Sequence, residues 1–200
     1  AKAGFPRFRA KQIYQWVQQK GVTSFAEMRN LPKDLQAYLA EHAFLTVPEI
    51  LTEKHAAQED TIKFLLRWAD GNTTELVLML YHRKESKERR TCCISTQVGC
   101  GMACGFCATA LGGLIRNLSP GEIVAQVQTA QRWGVEHGLP GVTNVVYMGM
   151  GEPFANTQAV LKSIALLNDP QGIGLGQRHI TISTCGLIPG IQALAATGWS

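Results

Sequence analysis

The stretch TCCISTQ, residues 91–97, runs without a break into VGCGMACGFCATA, residues 98–110. The first part reads as a β-strand, and the second sets Cys100, Cys104 and Cys107 in a C-x3-C-x2-C array. Parallel α/β folds carry their active sites in the loops that follow strands. Three thiolates from one such loop reach three corners of a cubane iron–sulfur cluster. The fourth iron is left without a protein ligand, an open position of the kind catalytic metal centres keep. Structural zinc is the competing reading, but it wants a fourth Cys or His at a second paired spacing, and no C-x2-C or H-x3-H partner stands nearby.

Working outward, the chain beyond Arg90 alternates strand and helix. A helix is expected from about Ser119 to Trp133, a strand at TNVVYMGM (143–150), a helix from about Thr157 to Leu167, a strand at HITISTC (179–185), and a helix starting near Pro189. That order implies parallel strands with right-handed crossovers. Ser119, Pro120 and Glu122 make a good helix start: the hydroxyl caps free amides, proline suits the first turn, and the carboxylate suits the positive helix end. Upstream, apolar residues recur at three and four between Phe8 and about His42, as in Ile13, Trp16, Val17 and then Leu35, Tyr38, Leu39. TIKFLLRWAD (61–70) and TELVLMLY (74–81) read as extended runs joined by a hairpin turn at Asp70-Gly71-Asn72. HRKESKERR (82–90) has no apolar face and reads as a solvated connector, with contact to RNA phosphate as the alternative.

The fold class expected is therefore α/β: a partial (β/α) barrel over residues 91–200, behind a helical module at 1–46 and a β extension with its connector at 47–90. Three strand–helix units make only part of a barrel. The chain opens without Met, and IQALAATGWS (191–200) reads as a helix still running at Ser200, so the sequence is expected to be a fragment.

Composition fits a globular protein: 46% of the 200 residues are hydrophobic, enough to bury a core. Lys and Arg number 19 against 15 Asp and Glu, which permits a polyanionic partner without requiring one. No apolar run approaches the roughly 20 residues of a membrane span, and AKAGFPRFRAKQ has no apolar signal core, so a cytoplasmic location without membrane attachment is the default expectation. The six cysteines do not read as disulfide staples, because the chain is long and core-rich and three of them crowd into eight positions.

The cysteine array resembles the signature of the radical S-adenosylmethionine (SAM) superfamily, whose open iron binds the amino and carboxylate groups of SAM. MGMGEP (148–153) resembles that superfamily's glycine-rich acidic motif. The chemistry agrees, since glycines let a ligand approach backbone carbonyls and a carboxylate pairs with an ammonium. Alone, a strand-end Gly-Glu-Pro is better read as a turn. Beside the cysteines, the resemblance makes Gly151, Glu152 and Ser183 contacts to SAM.

Taken together, FRAKQIYQWVQQKGVTSFAEMRNLPKDL (8–35), residues 91–127, TNVVYMGMGEP (143–153) and RHITISTCGLIP (178–189) resemble the RlmN/Cfr family of radical SAM RNA adenine methyltransferases. The resemblance covers almost the whole chain. It implies a [4Fe-4S] cluster and SAM as cofactors, 23S rRNA and transfer RNA as partners, an electron donor such as flavodoxin or ferredoxin, and an RNA-binding, helix-hairpin-helix-like N-terminal module. In that family a C-terminal cysteine accepts a methyl from one SAM, and a second SAM is cleaved to a radical that activates this methyl for addition to adenine. A second cysteine, seven positions before the first cluster ligand, then releases the product through a transient disulfide. By that spacing the resolving thiol is Cys93, and Glu75 matches the acid proposed to remove the ring proton. The methyl-accepting cysteine would lie beyond Ser200. Pro153 and Val98 look more like the RlmN branch, which modifies carbon 2, than the Cfr branch, which modifies carbon 8.

Read without the family, Cys93 is a buried strand cysteine, Cys92 beside it is core on the opposite face, Cys185 is core, and Glu75 is a solvent-facing residue of an edge strand. A radical SAM enzyme acting on another substrate, or a non-catalytic iron–sulfur or zinc RNA-binding module, would carry the same cysteines. The last of these would need no SAM site.

Overall fold

The computed structural model describes residues 4–58, 60–81 and 88–199. Most of the charged connector 82–90 therefore lies outside the described residues. Two hydrophobic clusters organise what is described, one small and one large.

The small cluster belongs to the N-terminal module. Helices α1 (Phe8–Gln18) and α2 (Lys33–His42) flank a short 3-10 turn at Phe25–Glu27, and Val22, Met28, Leu31 and Leu35 are buried between them. Ser24 and Glu27 cap that turn reciprocally, each side chain accepting from the other's backbone end. The module is fastened to the rest by long hydrogen bonds in sequence terms: Gln128 Nε2 donates to Val17 O at 2.7 Å, Arg132 Nη1 to Gly21 O at 2.9 Å, and Tyr14 Oη to Asp169 at 2.7 Å.

The large cluster lies under a six-stranded sheet. Its strands are β1 (Glu49–His55), β2 (Thr61–Arg67), β3 (Thr73–Tyr81), β4 (Arg89–Cys93), β7 (Asn144–Tyr147) and β8 (Ile180–Ile182), hydrogen-bonded in that order. Strands β1 to β4 pair antiparallel, whereas β4, β7 and β8 pair parallel, as the strand–helix alternation requires. A separate two-stranded ladder, β5 (Gln97–Gly99) with β6 (Leu114–Asn117), leaves the C-terminal end of β4.

Strict alternation in β2 and β3 decides which face is covered. Ile62, Phe64 and Leu66 of β2 and Leu76 and Leu78 of β3 point to one side, where they meet α3 (Pro120–Glu136) and α4 (Thr157–Asn168). Trp133 packs edge-on against Phe64 and donates from Nε1 to Glu53 at 2.8 Å. Helix α3 begins where Ser119 and Glu122 were expected to start it: Ser119 Oγ accepts from the Glu122 amide at 3.2 Å, and Glu122 accepts from the Ser119 amide at 2.8 Å. The other face of the sheet carries Lys63, Leu65, Glu75, Val77 and Cys93, which are half-buried or exposed.

One expectation about local structure changes. Helix α5 (Ile188–Ala195) ends before Thr197 rather than running to the last residue, because Ala196 and Thr197 close it and Gly198 follows at φ +69°. The sequence gives no alternating pattern for β1, whose seven residues are all exposed, nor for the short pair β5 and β6.

One-sided coverage of the sheet sets a test. Leu76→Ala, at a fully buried position, should cost about 2–5 kcal/mol in urea unfolding. Val77→Ala, one residue away on the open face, should cost less than about 1.5 kcal/mol. Equal losses would mean that the open face is packed as tightly as the covered one.

Candidate active site

The loops leaving β4, β7 and β8 meet at one end of the sheet. From β4 the chain continues as residues 94–97, which lie beside 146–152: the amides of Ile94 and Thr96 donate to Val146 O and Met150 O, and the Gly149 amide donates to Ile94 O. The approach is close enough to demand glycine. A Cβ on Gly149 would stand 2.8 Å from the Ile94 carbonyl, and a Cβ on Gly151, at φ +98°, 2.5 Å from Gln97 Cβ.

The cysteines sit on the loop that β5 and β6 close. Gly99 has φ +75°, and a Cβ there would collide with the Gly113 carbonyl, the same carbonyl that accepts from the Cys100 amide at 2.9 Å. Between Cys100 and Cys104 the chain reverses through Ala103 at φ +52°, which is the one non-glycine residue with positive φ among the described residues. Hydrogen bonds then run from the Cys107 amide to Cys104 O and from the Ala110 amide to Cys107 O. Hydrogen bonds from the Thr109 amide, the Thr109 hydroxyl and the Ala110 amide hold the Cys107 thiol below its ordinary range, favouring the thiolate.

Cys100, Cys104 and Cys107 line one cavity of about 290 Å³ together with Gly149, Gly151, Glu152, Ser183 and Cys185. A larger cavity, about 370 Å³, lies between the N-terminal module and α3 beside Lys20, Gln128 and Arg132, and no cysteine lines it. Glu152 is buried, and its carboxylate accepts from the Phe154 amide at 2.9 Å, the Thr184 hydroxyl at 2.7 Å and the Cys185 amide at 2.8 Å. Burial pushes its pKa up, but these hydrogen bonds outweigh burial and the carboxyl ends below its usual range. A lowered folded pKa means that this contribution to stability is present above the ordinary carboxylate range and is lost as pH falls through the lowered value.

Cys185 is a correction. It reads as core in the sequence, yet it is exposed, lines the cavity and feels both Glu152 and Cys104. Cys92 and Cys93 do fall on opposite faces: Cys92 is fully buried in the core, and Cys93 is half-buried on the open face. Burial raises the Cys93 thiol, offset in part by a hydrogen bond from the Met148 amide. Glu75 does not line the cavity and pairs with Lys63 across β2 and β3. It lies on the same sheet face as Cys93, two residues before Val77, which is Cys93's cross-strand neighbour. Ser95 joins the strands to the turn, donating to Glu75 O at 2.7 Å and accepting from the Met150 amide at 3.0 Å.

Gly151→Ala combines a disfavoured φ with a collision against a buried side chain. It should lower stability by at least about 1 kcal/mol, which lowers Tm by about 2–4 °C in calorimetry of a domain this size. A variant as stable as the parent would show that the turn has room the geometry denies it.

Comparison with known proteins follows the same lines. The ribosomal RNA large subunit methyltransferase N-terminal domain model matches residues 1–45, and the radical SAM superfamily model matches residues 94–198. The chain is 50% identical over 196 residues to a probable dual-specificity RNA methyltransferase RlmN of Desulfitobacterium hafniense (strain DSM 10664 / DCB-2), covering 98% of this chain and 55% of that protein. It is 47% identical over 201 residues to the protein of the same description from Symbiobacterium thermophilum, covering 99% and 52%. A crystal structure of a radical SAM methyltransferase from Sphaerobacter thermophilus superposes with a TM-score of 0.89 at 43% identity, over 97% of this chain and 55% of that one. The chain thus spans about half the length of the curated relatives it matches.

The family implies a [4Fe-4S] cluster and SAM, and the residues present fit them. Three thiols face one cavity, and among the described residues no three His, Cys, Asp or Glu side chains converge as ligands to a single ion would. A cubane asks for less convergence, because each thiolate takes its own iron. Across the cavity stand the glycine turn and an ionised carboxylate, suited to an ammonium. With its N-terminal segment matched to the RNA methyltransferase domain, the chain belongs to the radical SAM superfamily.

Proposed function

We propose that the protein methylates carbon 2 of an adenine in 23S rRNA, at the peptidyl-transferase centre, and of an adenine in some transfer RNAs. The observation that carries this reading is the meeting of Cys100, Cys104 and Cys107 with Gly151, Glu152 and Ser183 at one cavity, with Cys93 on the adjoining strand. The names of the relatives and the N-terminal match support RNA as the substrate. Residues 1–46 would contact RNA, 47–90 would extend the sheet, and 91–200 would hold the cofactors. Reducing equivalents would come from a flavodoxin or ferredoxin, and a cytoplasmic location goes with that chemistry. Among the described residues no helix is long and apolar enough to cross a membrane.

When bound, the cluster and SAM supply the radical that activates an otherwise inert C–H bond. The chain's own residues hold and orient. Cys100, Cys104 and Cys107 would ligate three irons, and the hydrogen bonds around Cys107 draw its thiol below the ordinary range. Glu152, fixed by Thr184 and the Phe154 and Cys185 amides, keeps a negative charge at the cavity that would pair with the SAM ammonium, and Gly151 lines the same cavity. Glu75 would take the ring proton.

Cys93 would act last. Burial keeps it a thiol at rest, and after losing its proton it attacks the sulfur that tethers the methylated adenine. The S–S bond forms as the S–C bond breaks, and the carbon keeps the electron pair and takes up a proton.

Two measurements test this reading on the full-length protein. Cys104→Ala, reconstituted without oxygen, should lose the iron content of about four per chain, since each thiolate serves its own corner. A full cluster in that variant would contradict the ligand assignment. Cys93→Ala should keep the cluster and SAM cleavage but accumulate a covalent protein–RNA adduct, seen as a nuclease-sensitive mass increase on a denaturing gel. Cys92→Ala, on the opposite face, should give no adduct. Normal turnover by Cys93→Ala, or the same behaviour in both variants, would remove the resolving role.

A further inference from the structure

Gln97 is the side chain through which the two halves of the cavity meet. It stands at the start of β5, only 1% exposed. Its Oε1 accepts from the Glu152 amide at 2.9 Å, and its Nε2 donates to Asn117 Oδ1 on β6 at 2.7 Å. Its own amide donates to Met150 O at 3.2 Å, and Gly151 lies against its Cβ and Cγ. One carboxamide thus ties together the strand that enters the cysteine loop, the strand that leaves it, and the turn that carries Glu152.

We propose that Gln97 is a positioning residue that fixes the glycine–glutamate turn relative to the cysteine hairpin, and so sets how tightly SAM is held without helping to hold the cluster. The proposal rests on reading Cys100, Cys104 and Cys107 as cluster ligands and Gly151 and Glu152 as SAM contacts. The chemistry asks for an amide. Glutamate would place a second carboxylate beside Glu152, and methionine would fill the volume but leave the buried Glu152 amide without an acceptor. The hydrogen bonds that shape the cysteine loop, from the amides of Cys100, Cys107 and Ala110 to Gly113 O, Cys104 O and Cys107 O, do not involve the Gln97 side chain. Cluster assembly and SAM affinity are therefore separable at this residue.

The experiment uses the full-length protein reconstituted without oxygen. It measures iron per chain, SAM binding by equilibrium dialysis, and the electron paramagnetic resonance spectrum of the reduced cluster as SAM is added. Gln97→Met should keep its iron, bind SAM about tenfold more weakly, and need correspondingly more SAM to change the spectrum. Asn117→Leu, at an exposed position, should move both readouts in the same direction, and Asn117→Asp, which keeps an acceptor for Gln97, should stay near the parent. If Gln97→Met fails to fold, the two Asn117 variants decide the matter between them.

Unchanged SAM affinity in Gln97→Met and Asn117→Leu overturns the proposal and leaves the cofactor site standing. Equal loss of iron and SAM in Gln97→Met also overturns it, because Gln97 would then support the whole loop. A parent protein that takes up neither iron nor SAM overturns the reading of the site, and the proposal with it.

Discussion

The structure depends on a steric constraint: the backbone at 149–151 crosses that at 94–97 more closely than side chains allow. Glycines at 149 and 151 permit the crossing, and Gln97 lies beneath it. Because β4 and β7 are parallel neighbours, their following loops leave the sheet side by side, and the crossing fuses them. The cysteine loop and the Gly-Glu turn therefore form one wall, although they are some 45 positions apart in the chain. A side chain at 149 or 151 would drive the two loops apart before any question of ligand affinity arose.

Polar groups then fix what the crossing allows. The Glu152 carboxylate draws in the turn after β8 through Thr184 and Cys185, so three successive strands deliver groups to the same cavity. Behind the hairpin, Arg116 of β6 pairs with Asp70 at the β2–β3 turn and with both carboxylate oxygens of Glu122 at the start of α3. A fork-shaped guanidinium suits that task, since it engages one carboxylate bidentately and a second beside it. The cysteine hairpin is thus anchored at its base by a charged latch, and a neutral amide on β5 fixes the Gly-Glu turn beside it.

Much of this was legible in the sequence, for reasons that differ from residue to residue. Cys100, Cys104 and Cys107 stand out because metal chemistry restricts both residue type and spacing. Strands β2 and β3 stand out because TIKFLLR and TELVLMLY alternate, and α3 because Ser119 and Glu122 cap it. Strand β1 was hidden, since EILTEKH exposes every residue, and β5 and β6 were hidden because QVG and LIRN are too short to show a period. Nothing in the segment around Gln97 shows that the crossing buries it. Cys185 reads as core because it follows an apolar strand, yet it stands beyond the end of β8, in the turn that Glu152 anchors.

The central claim is that three cysteines of the hairpin and the turn beside them make one site with an open iron. Electron–nuclear double resonance on the reduced full-length protein, with SAM carrying nitrogen-15 in its amino group and oxygen-17 in its carboxylate, tests this directly. The account predicts hyperfine coupling of both labels to the cluster, as direct ligation to the fourth iron requires. A cluster whose spectrum is unaltered by SAM, and which couples to neither label, would contradict it.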